Sequence, residues 1–229
     1  VPAGDIVLLH GCCHNPTGAD LTPEQWDQIA DLAVERGFIP FIDIAYQGLG
    51  EGLDVDAYGV RMMAEKVPEL LIASSCSKNF GLYRERTGSI SLIAETAEQA
   101  AIVNSLAMSI ARQIYSMPPA HGALLVSLVL SDDQLRAEWQ TELEAVRLRI
   151  QSMRNLLADS INNNSAGLDF SHIKQQRGMF SFLGISADQL QRLRDEYAIY
   201  IVNSTRINLA GINSTNIDYL SESILRVLD

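Results

Sequence analysis

Three short apolar runs, each followed by polar residues, constrain the fold of this 229-residue chain most strongly. The runs cover residues 6–10, 38–43 and 70–73, and segments with helical patterns separate them. Continuous apolar runs of this length are typical of strands that are buried on both faces of a parallel sheet. Strands that alternate with helices therefore predict a largely parallel α/β sheet, which binds ligands at the carboxyl ends of its strands.

Polar residues collect at these predicted strand ends. Residues 10–18 follow the first strand, Asp43 and Tyr46 follow the second, and Lys78 follows the third after a run of small hydroxyl and thiol residues. Each group also has an ordinary structural interpretation, because Asn-Pro-Thr-Gly forms turns, an aspartate can cap a helix, and a core tyrosine can pair its hydroxyl. Three strands that deliver such groups to one edge nevertheless favour a ligand site.

Lys78 is the strongest single candidate in the chain. A lysine that follows Ser75 and Ser77 and precedes Arg86 suits an amine that attacks a carbonyl beside a bound phosphate. Two alternatives stay open on these residues alone. The Ser-x-x-Lys pattern also opens the serine-nucleophile motif of penicillin-binding enzymes, and many lysines in loops are simply solvated.

Composition and charge exclude several classes of protein. Hydrophobic residues make up 47% of the chain and charged residues 20%, which excludes a disordered chain. The net charge of -11, with no basic run, argues against nucleic acid and anionic membranes as partners. The cysteines, Cys12, Cys13 and Cys76, are odd in number and lack metal-type spacing, so we expect neither a disulfide framework nor a metal site. With no apolar run of 18 residues and no signal-like segment, the sequence predicts a cytoplasmic protein.

The second half of the chain has a different character from the first. A long charged helical pattern runs from residue 131 to about residue 159, and a polar turn is expected at residues 162–167. A short α+β segment then contains predicted strands at residues 179–182 and 198–202, with a helix from Ser186 between them. Residues 206–211 and a final helix to Val227 follow. We therefore predict a large domain over residues 1–135 and a smaller α+β domain over residues 136–229, joined by the long helix.

The predicted strand at residues 6–10 has no preceding element to pair with. A parallel strand needs neighbours, so we expect the sequence to be cut from something longer.

Four motifs, taken in order, carry a resemblance to a known family. They are residues 14–18 (His-Asn-Pro-Thr-Gly), Asp43 with Tyr46, Ser75-x-Ser77-Lys78 with Arg86, and Arg206 in Arg-Ile-Asn-Leu-Ala-Gly. Together they resemble the fold-type-I pyridoxal-phosphate aminotransferases over essentially the whole chain. Residues 10–14, 77–83 and 115–122 resemble the branch of that family that acts on aspartate and aromatic amino acids. Four ordered motifs are far less accidental than any single one.

The resemblance implies pyridoxal 5′-phosphate as the cofactor and gives catalytic roles to Lys78, Asp43 and Tyr46. Lys78 would bond to the cofactor aldehyde and later move the proton between the substrate Cα and the cofactor. Asp43 would hold a proton on the pyridine nitrogen, because a buried carboxylate favours the charged form of a cation opposite it. Asn15 and Tyr46 would hydrogen-bond the cofactor's phenolic oxygen. Family members often have a cis peptide bond at the position of Pro16.

The same resemblance assigns the remaining ligand contacts. Ser75, Ser77 and Arg86 would hold the phosphate, and Arg206 would bind the α-carboxylate of the substrate through its planar guanidinium. His10 would lie behind Asp43 and orient that carboxylate. The amino-terminal portion of the family, with a phosphate loop and a ring-stacking aromatic residue, does not precede Val1. We therefore expect these residues alone to be inactive.

Substrate choice is implied by Arg112. It matches the position from which this branch reaches into the partner subunit and pairs with the distal carboxylate of a dicarboxylate, which implies a homodimer. Ile114 and Met117 stand where the aspartate-specialised pattern carries asparagines. Without those polar partners the arginine can swing away, and a methionine can pack on an aromatic ring. We expect dual use of aromatic amino acids and aspartate.

Three functions stay open from the sequence. The first is transamination between an aromatic amino acid or aspartate and 2-oxoglutarate, with amino acids and 2-oxo acids as substrates. The second is a lyase or decarboxylase on the same scaffold, although Arg206 argues against decarboxylation because it would hold the carboxylate in place. The third is a non-catalytic binding module derived from such an enzyme.

Overall fold

The computed structural model describes residues 1–164 and 169–228, and the chain forms two compact units. The first unit comprises Val1–Cys12, Leu21–Gly48 and Gly52–Leu143. The second comprises Cys13–Asp20, Leu49–Glu51 and Glu144–Asp229. Compact units are not by themselves independently folding domains, so the division into domains 1–135 and 136–229 stays a prediction.

A four-stranded sheet forms the centre of the first unit. Its strands lie in the order β1 (Ile6–His10), β2 (Ile39–Ile44), β3 (Leu70–Ser75) and β4 (Gly88–Ile93). The first three are parallel, and β4 is antiparallel to β3. The predicted α/β class with a mostly parallel sheet is therefore confirmed. Because β4 runs in the opposite direction, its first residue lies at the same edge as the last residues of β1 to β3.

Helix α1 (Pro23–Arg36) shows how local sequence sets the elements around this sheet. Thr22 and Gln25 form a capping box at its start, and Gly37 ends it in the left-handed conformation with a φ of 70°. The other helices of the first unit are α2 (Tyr58–Lys66), α3 (Ala97–Tyr115), α4 (His121–Ser131) and the beginning of α5 (Asp133–Asn164). Helix α4 was not predicted, and no side chain caps its first turn.

The expectation that β1 is buried on both faces is wrong for this chain. Ile6 and Leu8 are 58% and 59% exposed. These two residues alternate along the strand and so share one face of the sheet. Ile42 and Ile72 in the neighbouring strands are buried, and their register with Leu9 places them on the opposite face of the sheet.

The second unit has its own hydrophobic core. Its elements are the rest of α5, α6 (Ser171–Gln175), β5 (Phe180–Phe182), α7 (Ala187–Tyr197), β6 (Arg206–Asn208) and α8 (Ile217–Leu228). The core packs α5 against α7 and α8, with Leu157, Ile161, Leu193 and Ile224 fully buried. Strands β5 and β6 pair antiparallel.

Two expectations for the second unit need correction. The strand predicted at residues 198–202 is absent, because Ala198 closes α7 with a φ of 52° and the following residues pair with no strand among those described. A strand exists only where a neighbour completes its hydrogen bonds. The polar turn predicted at residues 162–167 starts too early, since α5 continues to Asn164, and its remainder lies outside the described residues. None of the described helices is long and apolar enough to cross a membrane.

Candidate functional site

The carboxyl ends of β1, β2 and β3 bring two of the expected site residues side by side. Asp43 pairs in register with His10 on β1 and with Ala73 on β3. Partners in register lie on the same face of a sheet, so the geometry suits an imidazole that orients a neighbouring carboxylate. The Asp43 carbonyl accepts a hydrogen bond of 2.8 Å from the Gly11 amide, which continues the ladder past the last strand residue.

Lys78 lies over the ring of Tyr46. Its Nζ atom is 4.4 Å from the ring centre, and Tyr46 is buried. A cation at this distance is attracted by the negative face of the ring, typically by about 0.5–2 kcal/mol. The sequence placed both residues after predicted strands, and the structure brings them into direct contact at the same sheet edge.

The residues just before Lys78 form a small hydroxyl cluster. The Ser75 hydroxyl donates to the Ser77 hydroxyl over 2.9 Å, and the Ser77 amide donates to the Ser75 hydroxyl over 3.1 Å. Ser77 is buried, and burial also raises the pKa of the Cys76 thiol between them. The cluster thus contains neutral donors beside a lysine, which is the combination that suits a bound anion.

Arg86 reaches this region because β4 is antiparallel. Ser75 pairs in register with Gly88, and the Cys76 amide donates to the Thr87 carbonyl over 3.0 Å. Arg86, two residues before β4 begins, therefore lies near the sheet edge at which β3 ends. Its backbone is left-handed, with a φ of 53°, and its exposed side chain donates to the Tyr83 carbonyl over 2.9 Å.

Trp139 contacts the segment directly after Lys78, and the sequence did not predict this contact. The Trp139 indole N–H on α5 donates to the Asn79 carbonyl over 2.7 Å. The rings of Trp139 and Phe80 stack with centroids 4.4 Å apart and an interplanar angle of 13°. In the sequence, Trp139 lies within the long charged helical pattern. No local pattern could have indicated a contact between residues 60 positions apart.

In the second unit, Arg206 pairs with Asn15. The Arg206 guanidinium donates to the Asn15 side-chain oxygen over 2.8 Å and lies 4.5 Å from the centre of the Phe180 ring. The peptide bond between Asn15 and Pro16 is cis, as the resemblance implied. The two residues are 191 positions apart in sequence, so only the fold could show that they meet.

Arg112 lies in the last turn of α3, and its side chain is exposed. Its expected role depends on a second subunit, so its place in this chain does not test that role.

The donor set at the sheet edge fits a phosphorylated carbonyl compound. Ser75, Ser77 and Arg86 offer hydroxyl and guanidinium donors for a phosphate, and the Lys78 amine offers a nucleophile for the carbonyl. Asp43 adds a carboxylate at the end of the adjacent strand, which suits a cationic ring nitrogen.

Known proteins of similar sequence and structure agree with this chemistry. The aspartate aminotransferase of Haemophilus influenzae is 54% identical over 225 residues, which cover 98% of this chain and 57% of that protein. An aromatic-amino-acid aminotransferase from Burkholderia pseudomallei, covalently bound to pyridoxal phosphate, superposes with a TM-score of 0.97 at 44% identity. It covers 100% of this chain and 57% of its own.

A third relative comes from Psychrobacter sp. B6. It is an aromatic amino acid aminotransferase crystallised with aspartic acid, with a TM-score of 0.97 and 43% identity, covering 100% of this chain and 57% of its own. The chain thus spans about 57% of the length of these relatives. The sequence family described as "Aminotransferase class I and II" matches residues 1–224. The chain therefore belongs to the class I and II aminotransferases.

Proposed function

We propose that this protein is a pyridoxal-phosphate-dependent aminotransferase that exchanges amino groups between aspartate or an aromatic amino acid and 2-oxoglutarate. The observation that carries the proposal is the position of Lys78, over Tyr46 and next to the Ser75–Ser77 hydroxyl pair. An amine held beside a group of anion donors is what a cofactor with an aldehyde and a phosphate requires.

In this proposal the residues of the first unit bind and orient the cofactor. Ser75, Ser77 and Arg86 hold its phosphate, and Asp43 keeps a proton on its ring nitrogen. When bound, pyridoxal phosphate supplies a conjugated ring that withdraws electrons from the substrate Cα. The Lys78 amine then carries the proton that leaves Cα, as a general base close to the reacting atom.

Arg206 and Asn15 would bind the α-carboxylate of the substrate. A guanidinium already oriented by Asn15 and by the Phe180 ring can donate two parallel hydrogen bonds to a carboxylate. Holding the carboxylate in place supports transamination over decarboxylation. A lyase on the same scaffold would need the same cofactor residues and stays the second candidate.

Dual substrate use is part of the proposal. Ile114 and Met117, close to Arg112 in sequence, are 72% and 81% exposed, so apolar side chains and a charge are both accessible near the end of α3. The similarity to relatives named for aspartate and for aromatic amino acids supports both substrate classes. A homodimer in the cytoplasm, with Arg112 serving the partner's site, is the assembly that the resemblance implies.

The test is covalent labelling combined with an activity assay on the intact protein. Pyridoxal phosphate and borohydride should label Lys78, and aspartate and phenylalanine should both yield glutamate from 2-oxoglutarate. Lys78→Ala should lose both signals. Lys66→Ala is the matched control, because Lys66 is paired with Asp27 at the surface. Labelling without transamination would favour a lyase, and wild-type protein that is neither labelled nor active would favour a binding module.

A further inference from the structure

Arg154 on α5 is a fully buried cation, with 0% of its surface exposed. Its donors bind main-chain carbonyl oxygens at distances of 2.5–3.0 Å; the acceptors are Ile173, Arg177, Gly178 and Phe180. Burial lowers the pKa of Arg154 to about 10, which still leaves it charged at neutral pH. Placing a charge in a protein interior is costly, so this network of carbonyl partners is needed to hold the charge there.

The carbonyls that Arg154 binds extend from α6 to the first residue of β5, and the loop that joins these two elements contacts the loop carrying Asn15. The Arg177 amide donates to the Gly18 carbonyl over 2.8 Å. Gly18 has a φ of 73°, and a Cβ atom there would lie 2.5 Å from the Phe180 carbonyl and 3.1 Å from the Arg154 guanidinium. A side chain at Gly178 would likewise meet Cys13 at 2.4 Å. The two loops are therefore packed as closely as glycine permits.

The partners of Arg206 lie on the first of these loops and at the start of the strand that follows the second. Asn15, on the first loop, accepts the hydrogen bond from Arg206, and Phe180, whose carbonyl binds Arg154, presents its ring to the same guanidinium. Strand pairing adds a third connection, because Phe182 lies in register with Arg206. A shift of the loop around Gly178 would therefore move both neighbours that orient Arg206.

We propose that Arg154 is a positioning residue that sets the geometry of the carboxylate-binding pair formed by Asn15 and Arg206. This inference rests on the proposed function, in which that pair binds the α-carboxylate of the substrate. Arg154 touches neither substrate nor cofactor and acts through the two loops that it fixes.

An arginine is needed at this position because its planar fork serves several acceptors at once. A lysine keeps the charge but has one ammonium group, which cannot reach carbonyls at both Ile173 and Phe180 in the same way. Small misplacements of a binding group lower affinity steeply, so Arg154→Lys should weaken carboxylate binding by about tenfold or more.

The experiment compares two ligands that share a ring and differ in the carboxylate. The Kd of 3-phenylpropionate and the Kd of 3-phenyl-1-propanol are measured by titration of the intact holoenzyme. Arg154→Lys should raise the Kd of 3-phenylpropionate by about tenfold. The Kd of the ligand without a carboxylate and the Kd of pyridoxal phosphate should both stay within about twofold of wild type. Arg154→Lys combined with Arg206→Lys should weaken 3-phenylpropionate little more than Arg206→Lys alone, because both act on one pair.

Arg192→Lys is the matched control. Arg192 lies in the same unit and also donates to main-chain carbonyls, those of Arg226 and Val227, at the end of α8. It should leave both ligands unaffected. Gly18→Ala is a second probe that keeps the buried charge and disturbs the same loop contact; it should reproduce the selective loss, and it decides the outcome if Arg154→Lys does not fold.

Equal weakening of both ligands by Arg154→Lys, or no weakening of 3-phenylpropionate, would overturn the positioning role while leaving the proposed function intact. If wild-type protein does not bind 3-phenylpropionate, or if Arg206→Lys does not weaken its binding, the proposed function fails together with the inference.

Discussion

At the scale of single residues, the positions of Asp43 and His10 follow from where their strands end. Each is the polar residue that closes an apolar run, and the parallel register places them beside each other. The chain order therefore predicted that they lie at one edge. Chain order did not predict the contact between Lys78 and Tyr46. The distance of 4.4 Å from the Lys78 Nζ atom to the Tyr46 ring centre depends on how two loops pack after their strands end.

Asp43→Asn should lower kcat by about 100-fold or more and change KM much less. The proposal has Asp43 hold a proton on the cofactor's ring nitrogen, and an amide has no charge with which to do so. Loss of an electrostatic interaction that strengthens in the transition state reduces kcat by about that amount. Steady-state kinetics on the intact protein measure this, with the exposed Asp31→Asn as control. An unchanged kcat would show that Asp43 only supports the sheet edge.

Arg112→Ala should distinguish the two substrate classes. For aspartate, kcat/KM should fall by an amount equivalent to about 2–4 kcal/mol of transition-state stabilisation, because one partner of a charge pair is lost. The value of kcat/KM for phenylalanine should stay nearly unchanged. Arg36→Ala is a suitable control, because Arg36 is also an exposed arginine in the last turn of a helix. Equal losses for both substrates would mean that Arg112 supports the fold or the dimer.

At the scale of elements, the helices follow local sequence more closely than the short strands do. Capping boxes begin α1, α3 and α7, and each box is formed by two residues only three positions apart in the sequence. Residues 198–202 are apolar and rich in β-branched side chains, yet they form no strand in the described structure. A helix satisfies its hydrogen bonds internally, whereas a strand depends on a partner that local sequence cannot supply.

Trp139 should be a measurable link between α5 and the segment that follows Lys78. Trp139→Phe keeps a ring against Phe80 and removes the donor to the Asn79 carbonyl, so it should lower the free energy of unfolding by about 1 kcal/mol. Trp139→Ala removes the stack as well and should cost about 3 kcal/mol or more. Urea unfolding followed by circular dichroism measures both changes. Equal effects of the two variants would show that the hydrogen bond carries the whole contribution.

At the scale of the whole molecule, the active protein should sediment as a homodimer. The proposed role of Arg112 requires that a residue from one subunit reach the site of the other. Analytical ultracentrifugation of the intact protein, over a range of concentrations that includes those of the activity assay, measures this. An active monomer would contradict the assignment of Arg112 across subunits.

The sequence by itself determined the α/β class, the motif residues at the strand ends and the family resemblance, because strand periodicity, caps and short motifs are written in neighbouring residues. Only the tertiary structure decided which distant residues meet: Asn15 with Arg206, Trp139 with Asn79, and buried Arg154 with the carbonyls around Gly178. The physical reason is that these contacts satisfy polar groups that folding buries wholly or in part. Which donor serves which acceptor depends on the packing of whole elements, and no local pattern records it.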